Sequence, residues 1–328
     1  MANITPNTLD SIAFAASGPF AIADNGCTAS LLAGESCSFA VTFTPAAEGI
    51  FKGSVRVTSS AADSPHILRL WGMGGYLLLP ESQGFFREGD WFFDQNKNLY
   101  WDGISIDKHM GKFGGYQWDI PVMGDWNGDG EKEVGIYRHG AWYLDYNGNG
   151  QWDGCDIDSC IPAFGELPGD IPVVGDWNGD GKTNIGFYRN GAWYLDKNGN
   201  GKWDGCAIDA CLPAFGGLDI DKPLIGDWNG SGVSKVGIYR KGLWYLDMNG
   251  NGAWDGCDVD ACIGPFGGFD LDKPVIGDWK GDGIGRIGIY RNGLWYMDLN
   301  GNGQWDGCEI DLCAPAFGGS AVDHPIIK

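Results

Sequence analysis

The chain has 328 residues, with 43 Asp and Glu against 22 Lys and Arg, which leaves a formal charge of −21. This charge repels phosphate backbones and no Lys/Arg cluster offsets it, which argues against a nucleic-acid partner. Apolar residues make up 43% of the chain, enough for a packed core, yet no apolar run reaches the roughly 18 residues of a membrane helix. Residues 1–10 carry neither a basic start nor an apolar run, so no secretory signal is visible.

The N-terminal segment, residues 1–75, has no repeat and shows alternating apolar runs at residues 38–44 and 53–58 that predict β-strands. Its run S-F-A-V-T-F-T-P follows Cys37, and the segment ends in L-W-G-M-G. These motifs resemble the choice-of-anchor D/Hydin-type Ig-like family, which implies a β-sandwich of the immunoglobulin type. The first strand or two of that family would precede Ile4, which leaves open whether the sandwich is complete.

From residue 84 onward, the sequence repeats with a period of 51 residues. Each unit alternates short β-rich runs, and the dipeptides Asn190-Gly191 and Asn292-Gly293 are typical of two-residue β-hairpins. No unit has the apolar spacing of a helix, so the period predicts four-stranded antiparallel blades of a β-propeller. The expected strands of one unit are residues 172–175, 185–189, 192–196 and 214–216.

Each strand pattern occurs five times, but the first unit lacks its own first strand, whereas the C-terminus supplies an extra one at residues 325–327. We expect this last strand to complete the first blade and close a five-bladed ring, which would protect the sheet edges. Alternatively, residues 76–79 fill that place, and the chain is one segment of a longer array. The predicted all-β chain thus comprises an Ig-like sandwich (residues 1–75) and a propeller (residues 76–328).

The ten cysteines form five local pairs, four of them with the spacing C-x4-C. Zinc sites use paired motifs or nearby histidines, and none of the four histidines lies at ligand spacing from a cysteine pair. We therefore predict disulfides, which persist in oxidising compartments and indicate a secreted or cell-surface protein whose leader lies outside this sequence. The predicted pairs are Cys27 with Cys37, Cys155 with Cys160, Cys206 with Cys211, Cys257 with Cys262, and Cys308 with Cys313.

The motif D-W-N-G-D-G begins what we call the short loop, with oxygen-bearing side chains at positions 1, 3, 5 and 9. A hard cation such as Ca²⁺ requires this arrangement, with glycine forcing the sharp turn. The motif and the G-x-Y-R that follows resemble the FG-GAP/VCBS repeat of integrin α-chain propellers and bacterial surface proteins, which implies Ca²⁺ between the first two strands. Two copies carry the set: Asp125, Asn127, Asp129 and Glu133, and Asp176, Asn178, Asp180 and Asn184.

The other two short loops depart from this pattern. Ser231 and Lys235 stand at positions 5 and 9 of the third copy, and Lys280 and Arg286 at positions 3 and 9 of the fourth. A basic side chain that enters the loop would replace the ion by its own charge. We therefore expect metal in the first two copies and leave the other two open.

The motif D-x-N-x-N-x-x-W-D, with a further Asp five residues later, defines the long loop, which we expect between the third and fourth strands. All five copies keep five oxygen-bearing side chains while a neighbouring site varies (Ser105, Asp156, Ala207, Asp258, Glu309). Three carboxylates, two amides and a backbone carbonyl would supply the oxygens that Ca²⁺ takes. The motif resembles thrombospondin-type and dockerin-type calcium loops; Asx turns are the alternative. The predicted ligands are Asp94, Asn96, Asn98, Asp102 and Asp107; Asp145, Asn147, Asn149, Asp153 and Asp158; Asp196, Asn198, Asn200, Asp204 and Asp209; Asp247, Asn249, Asn251, Asp255 and Asp260; and Asp298, Asn300, Asn302, Asp306 and Asp311.

The long loops hold about a third of the acidic residues of the chain, and such crowded carboxylates would repel one another without cations. We therefore expect several structural Ca²⁺ ions, whose removal lowers stability. Most of the repeated Trp residues are expected to pack between blades, with a sugar-stacking platform as the alternative. The five repeated Arg residues are expected to pair with nearby Asp, unless they form a ring that binds an anionic ligand.

Function follows less directly from the sequence. It offers no Ser/His/Asp or Cys/His set and no phosphate-binding Gly loop, and its acids repeat evenly, which argues against an enzyme; an acid pair for glycoside hydrolysis is the catalytic alternative. We expect an extracellular, calcium-stabilised binding or adhesion module that recognises a protein or a surface. The alternatives are a Ca²⁺-dependent lectin that binds glycans and a structural element of a surface assembly that self-associates.

Overall fold

The computed structural model of the chain describes residues 2–46, 49–74, 79–314 and 317–328. Within these ranges the secondary structure consists of strands and turns, which confirms the prediction of an all-β chain. None of the described segments is a helix that could cross a membrane. The chain divides into two compact units, Met1–Leu77 and Leu78–Lys328; the boundary predicted between residues 75 and 76 lies outside the described residues.

In the first unit, residues 2–46 and 49–74 form two antiparallel sheets. One sheet has the strand order β1-β4-β5 and the other pairs β2 with β3. Phe43 stacks on Phe20 within the smaller sheet and meets Phe51 of the larger one, with ring centroids 6.1 Å apart. Aromatic side chains therefore join the two sheets. The strands are β1 (Ala13–Ala16), β2 (Phe20–Asn25), β3 (Phe39–Phe43), β4 (Gly49–Thr58) and β5 (His66–Gly74).

The described residues of the second unit form five antiparallel sheets of four strands each. Sheet 1 is β25 (His324–Ile327), β6 (Gln83–Arg87), β7 (Asp90–Phe93) and β8 (Lys108–Met110). Sheet 2 is β9 (Ile120–Gly124), β10 (Glu133–Arg138), β11 (Ala141–Leu144) and β12 (Ser159–Ile161). Sheet 3 is β13 (Ile171–Gly175), β14 (Asn184–Arg189), β15 (Ala192–Leu195) and β16 (Ala210–Leu212). Sheet 4 is β17 (Lys222–Gly226), β18 (Lys235–Arg240), β19 (Leu243–Leu246) and β20 (Ala261–Ile263). Sheet 5 is β21 (Lys273–Gly277), β22 (Arg286–Arg291), β23 (Leu294–Met297) and β24 (Leu312–Ala314).

Two-residue hairpins join the second and third strands of these sheets, as the sequence predicts. In sheet 3, Arg189 pairs with Ala192 across the turn, and Asn190 and Gly191 have φ angles of 49° and 93°. Positive φ at both central residues gives a turn whose twist matches that of the flanking strands. Asn and Gly tolerate this conformation, which is why the dipeptide marks the turn in the sequence.

The predicted position of the fourth strand, residues 214–216, is wrong. In sheet 3 this strand is β16, where Cys211 lies opposite Tyr194. Phe215 follows the strand as a buried plug: its N–H donates to Gly191 O (3.0 Å), and Trp193 Nε1 donates to Phe215 O (3.1 Å). The Phe-Gly motif therefore repeats because its ring fills the core, not because its backbone joins the ladder.

The first strands of the five sheets contact one another in a closed cyclic order, β9, β13, β17, β21, β25 and back to β9. As expected, the C-terminal strand completes sheet 1, since Pro325 pairs with Phe85. The backbones of Ser82 and Lys328 exchange two hydrogen bonds (2.7 and 2.8 Å) at the same edge. The alternative prediction places the first strand of this sheet at residues 76–79, of which residues 76–78 lie outside the described part of the chain.

Adjacent sheets share their cores. The cluster that contains the fully buried Trp142 of sheet 2 also includes Ile185 and Phe187 of sheet 3. Equivalent clusters join sheet 3 to sheet 4 and sheet 4 to sheet 5. Each sheet therefore gains much of its stability by burying apolar area against its neighbour.

Candidate metal sites and pockets between sheets

The short loop of sheet 2 joins β9 to β10 and gathers three carboxylates. Oxygens of Asp125, Asp129 and Glu133 all lie within 4.8 Å of one another, the one such group of potential metal-binding side chains in the described part of the chain. Burial, together with the nearby charges of Asp129 and Asp125, raises the pKa of Glu133 to about 7. The N–H groups of Gly128 and Gly130 donate to Asp125 (2.6 and 2.8 Å) and fix the turn.

The third short loop, in sheet 4, holds a cation of its own. The buried Lys235 Nζ donates to Asp227 Oδ1 (3.1 Å), Asn229 Oδ1 (2.7 Å), Ser231 Oγ (2.6 Å) and Val233 O (3.0 Å). These acceptors stand at positions 1, 3, 5 and 7 of the loop, the positions that supply Ca²⁺ ligands in loops of this type. The ammonium group thus marks the point at which the oxygens of the loop converge.

The fourth short loop, in sheet 5, holds the Arg286 guanidinium in a comparable place. Its Nη1 donates to Asp282 Oδ1 (2.8 Å) and Ile284 O (3.1 Å), and its Nη2 to Asp282 Oδ2 (2.6 Å). Lys280 instead reaches away from this centre, since its Nζ donates to Asn300 O (2.7 Å). One basic side chain therefore enters each of the two loops in which the metal-binding pattern is incomplete.

The second short loop, in sheet 3, carries two carboxylates and has no basic residue at positions 1, 3, 5 or 9. Gly179 and Gly181 N–H groups donate to Asp176 (2.7 and 2.8 Å), and Asn178 Nδ2 donates to Asp180 Oδ2 (3.0 Å). At position 9, the buried Asn184 Nδ2 has no hydrogen-bond partner in the part of the chain that the structure describes. An amide whose polar end is unpaired fits a site that would use its oxygen as a metal ligand.

The long loops connect the third and fourth strands and bury their first and last Asp. In sheet 2, Asp145 Oδ2 accepts from Gly150 N (2.7 Å) and Asp158 Oδ2 from Asp153 N (2.7 Å). The Oδ1 atoms of Asp145 and Asp158 are both buried and find no hydrogen-bond partner among the described residues. Burial raises the pKa of Asp145, and the charge of Asp158 adds to the effect. Two buried carboxylates with orphaned oxygens fit a cation that would pair with both.

The other long loops repeat this arrangement with small differences. The last Asp has an orphaned Oδ1 in sheets 3 and 5 as well, at Asp209 and Asp311. Sheet 1, whose loop has no cysteines, satisfies its first Asp better: Asp94 accepts from Gln83 Nε2 (3.0 Å) and Leu99 N (2.6 Å). Burial nevertheless raises the pKa of Asp94 to about 6, and Asp107 contributes.

The middle of each long loop forms a network of its own. Asn147 Nδ2 and Asn149 Nδ2 both donate to the exposed Asp153 Oδ2 (3.0 and 2.6 Å), and the same pattern occurs in the other four copies. Among the described residues, the three carboxylates of a long loop do not come within 4.8 Å of one another. The first and last Asp of each loop lie close enough for their charges to interact. The Asp between them, such as Asp153, instead binds the amides of the loop.

Five disulfides connect the predicted cysteine pairs. In sheets 2 to 5 each one encloses the last Asp of the long loop; Asp158, for example, lies between Cys155 and Cys160, whose Cα atoms are 5.2 Å apart. The enclosed segment also folds back on itself, because Asp158 N donates to Gly154 O (2.8 Å). The bridge therefore restricts where that carboxylate lies.

The five repeated Arg residues pair with Asp, as expected. Each guanidinium donates two hydrogen bonds to one carboxylate with a fully buried side chain; the pairs are Arg87 with Asp323, Arg138 with Asp119, Arg189 with Asp170, Arg240 with Asp221, and Arg291 with Asp272. The charge of each Arg is thus compensated inside the protein, which leaves no ring of uncompensated guanidinium groups.

Pockets occur between adjacent sheets, and the sequence alone did not reveal them. One pocket, of about 240 Å³, lies between sheets 4 and 5 and includes Phe269, Arg291 and Trp305 in its lining. Another, of about 300 Å³, lies between sheets 1 and 2. The two share eight equivalent lining positions, offset by three repeats of 51 residues. In the sequence, the segments that connect the sheets and line these pockets show only a mixture of polar and aromatic residues.

No protein-family model matches the chain, and no curated protein matches it either. Among solved structures, the chain is similar to an Agrocybe aegerita lectin that recognises non-reducing terminal N-acetylglucosamine (15% identity, TM-score 0.41, 85% of this chain and 82% of that chain). It is also similar to a Photorhabdus luminescens Tc holotoxin pore (14% identity, TM-score 0.39), where the match covers 84% of this chain and 14% of that chain. Similarities at this level assign no function.

Proposed function

We propose that the chain is an extracellular, calcium-stabilised binding or adhesion module without catalytic activity, built from an Ig-like sandwich and a five-bladed β-propeller. The closed cyclic order of the first strands supports five blades, with β25 as the first strand of the first blade. The two sheets joined by Phe43 and Phe51 support the sandwich. The repeat motif that resembles FG-GAP/VCBS is consistent with the propeller.

The observation that carries the calcium proposal is the contrast between two short loops. Lys235 places an ammonium group among the oxygens of one loop, whereas the equivalent position of another loop is Glu133, beside Asp125 and Asp129. A site that holds three carboxylates in one copy and a buried cation in another is built around positive charge. Hard oxygen donors at positions 1, 3, 5 and 9 favour Ca²⁺.

We extend the proposal to the long loops because of their orphaned oxygens. Buried carboxylates without partners, such as Asp145 and Asp158, are costly unless a cation or protons compensate them. A Ca²⁺ ion would pair with the first and last Asp, and rotation of the amides of Asn147 and Asn149 would turn their oxygens toward it. In that state calcium supplies charge compensation and cross-links the loop, which makes its role structural.

The remaining features favour recognition over catalysis. The raised pKa values of Glu133 and Asp94 belong to the acidic loops, so we infer a role in metal binding and not in acid–base chemistry. Five disulfides favour an oxidising compartment. Carbohydrate recognition is the second candidate, favoured by the partly exposed Trp152 and Trp305 in the pockets between sheets.

The test combines calcium stoichiometry with thermal melting of the full chain. We expect Ca²⁺ to co-purify with the protein in elemental analysis and EGTA to lower the melting temperature, because binding to the native state alone adds stability. Added Ca²⁺ should restore the original melting temperature, whereas added Mg²⁺ should restore it less, since it demands a stricter octahedral geometry. A melting temperature that EGTA leaves unchanged would refute the calcium proposal.

A further inference from the structure

We propose that the pockets between sheets 1 and 2 and between sheets 4 and 5 each bind one sugar unit of a neutral glycan. This inference rests on the proposed binding function and deepens it by naming a site and a ligand class. Both pockets lie where two sheets meet, and their linings come from both sides. They are therefore present only when adjacent sheets are assembled.

The pocket between sheets 4 and 5 has an Arg at its centre and aromatic rings around it. The Arg291 guanidinium carbon lies 4.2 Å from the ring centroid of Phe269 and 5.2 Å from that of Tyr296. Trp305 packs edge-on against Tyr296, with ring centroids 5.4 Å apart. The buried Ile289 completes the lining. The result is a small cavity with largely apolar walls, in whose lining Arg291 is the one charged residue.

The pocket between sheets 1 and 2 repeats this arrangement 153 residues earlier in the chain, except that Lys112 replaces Pro265. The charge of Lys112 is compensated by Asp90, to which its Nζ donates (2.9 Å). Arg138 lies 4.3 Å from the ring centroid of Tyr116 and 5.2 Å from that of Tyr143, and Trp152 packs against Tyr143 at 5.3 Å. Tyr116 and Phe269, which form the outer walls, are both 68% exposed. Aromatic rings left in water beside a cavity gain most when a ligand covers them.

The other three junctions between sheets lack the outer aromatic wall. The position of Tyr116 and Phe269 is taken there by Leu167, Leu218 and Ser320. Aromatic rings therefore flank the Arg on both sides at two junctions of the ring. This difference within one molecule supplies a matched control, because the leucines are similarly exposed (57% and 54%) and lie at equivalent points of the repeat.

The charge of the pocket argues for a neutral ligand. Arg291 uses Nε and Nη2 for the buried Asp272 (2.5 and 3.0 Å), so its charge is compensated, and an anion would meet that carboxylate as well. Those bonds leave the Nη1 hydrogens as potential donors. A pyranose ring offers an apolar C–H face for Trp305 and Tyr296 and hydroxyl oxygens for Nη1. A cavity of about 240 Å³ suits one such ring, not an extended peptide.

The experiment compares two double variants of the full chain in the presence of Ca²⁺. The pocket variant is Tyr116→Ala with Phe269→Ala, and the control is Leu167→Ala with Leu218→Ala. The probes are methyl glycosides of neutral hexopyranoses and of glucuronic acid, tested to about 10 mM by saturation-transfer NMR and tryptophan fluorescence, since a single small pocket binds with roughly millimolar affinity. Melting curves with and without EGTA are recorded for every variant.

We expect at least one neutral glycoside to bind the unmodified chain and the control, and to bind the pocket variant about tenfold more weakly or not at all. Absence of binding by every neutral glycoside, an equal loss in the control, or a preference for the glucuronide would each overturn the inference. The melting curves separate it from the calcium proposal: a melting temperature that still responds to EGTA, together with no sugar binding, refutes the pockets alone.

Discussion

Asp323 accepts two hydrogen bonds from Arg87, which lies 236 residues earlier in the chain (Nε to Oδ1 2.6 Å, Nη2 to Oδ2 2.8 Å). In the other four sheets the equivalent Arg and Asp are 19 residues apart. The Asp323 side chain is fully buried, and Tyr290 OH also donates to it (3.2 Å). This pair therefore connects the last segment of the second unit to its first sheet.

We expect Asp323→Asn to lower the free energy of unfolding by about 2–4 kcal/mol, since the guanidinium loses a charged partner that is buried. Asp170→Asn, which breaks an equivalent pair within one repeat, should cost a similar amount. Denaturant unfolding followed by tryptophan fluorescence measures both. The exposed Asp219→Asn serves as the control and should stay within about 0.5 kcal/mol. An unchanged midpoint for Asp323→Asn would show that the pair does not hold the last strand in place.

Replacing the acidic residue at position 9 of a short loop by Lys should remove the Ca²⁺ site of that loop. Glu133→Lys places an ammonium group where Lys235 has one, so we expect one Ca²⁺ fewer per chain and a smaller effect of EGTA on the melting temperature. Isothermal titration and elemental analysis give the stoichiometry. Glu131→Lys makes the same change of charge at position 7, where calcium loops of this type use the backbone carbonyl and not the side chain. This control should keep the ion. Equal losses in both variants would mean that charge alone, and not ligation, matters.

The pKa of Glu133 predicts how the calcium-free chain responds to pH. Its pKa is about 7 in the folded chain against an ordinary value of 4.5, so the folded state favours the protonated form. The stability contribution of this group is present below about pH 4.5 and is lost as the pH rises through 7. We expect the EGTA-treated chain to lose stability over this range, and Glu133→Gln to lose less. Urea unfolding at several pH values checks this.

Excess Ca²⁺ should cancel that pH dependence, because the ion pairs with the ionised carboxylates above pH 7. If the stability of the EGTA-treated chain and of its Glu133→Gln variant instead rises between pH 4.5 and 7, other groups dominate the pH dependence. In that case the burial of Glu133 carries little cost.

The disulfides should matter both for stability and for calcium. Replacing Cys206 and Cys211 by Ser opens a loop of six residues, which costs about 2 kcal/mol in the chain-entropy model. It also frees Asp209, so we expect weaker Ca²⁺ binding at the long loop of sheet 3. Calcium titration of this variant beside the unmodified chain, the latter with and without reductant, measures the effect. The long loop of sheet 1 has no cysteines, so its Ca²⁺ affinity should not respond to reductant; if it does, the reductant acts elsewhere.

The sequence predicts the repeated parts of the fold well because those parts depend on local chemistry. Turn residues such as Asn190 and Gly191 fix the hairpins, and short runs of β-branched and aromatic residues mark the strands beside them. The pairing of residues 325–327 with sheet 1 follows from counting strands. The prediction misplaces the fourth strand because that strand is only three residues long. The nearby Phe215 repeats more clearly in the sequence, but it does so because its ring is buried in the core.

The sites divide in the same way. Acidic loops are visible in the sequence because their ligands are close along the chain, as with Asp125 and Glu133. The pockets were not visible, since Phe269 and Trp305 meet only after two sheets pack together. Glu81 was missed for the same reason: it accepts from both Lys132 Nζ and Asp278 N (2.5 Å each), residues 146 positions apart that the closed order of sheets brings together.

The paired backbones of Ser82 and Lys328 have a consequence for engineering. Because the two ends of the second unit lie side by side, a short linker would join them without spanning any distance across the molecule. New termini opened in the exposed segment 166–169, between sheets 2 and 3, would then yield a circularly permuted chain with the same sheets. The same proximity would let the unit be inserted into a surface loop of an unrelated host protein with little distortion of either partner.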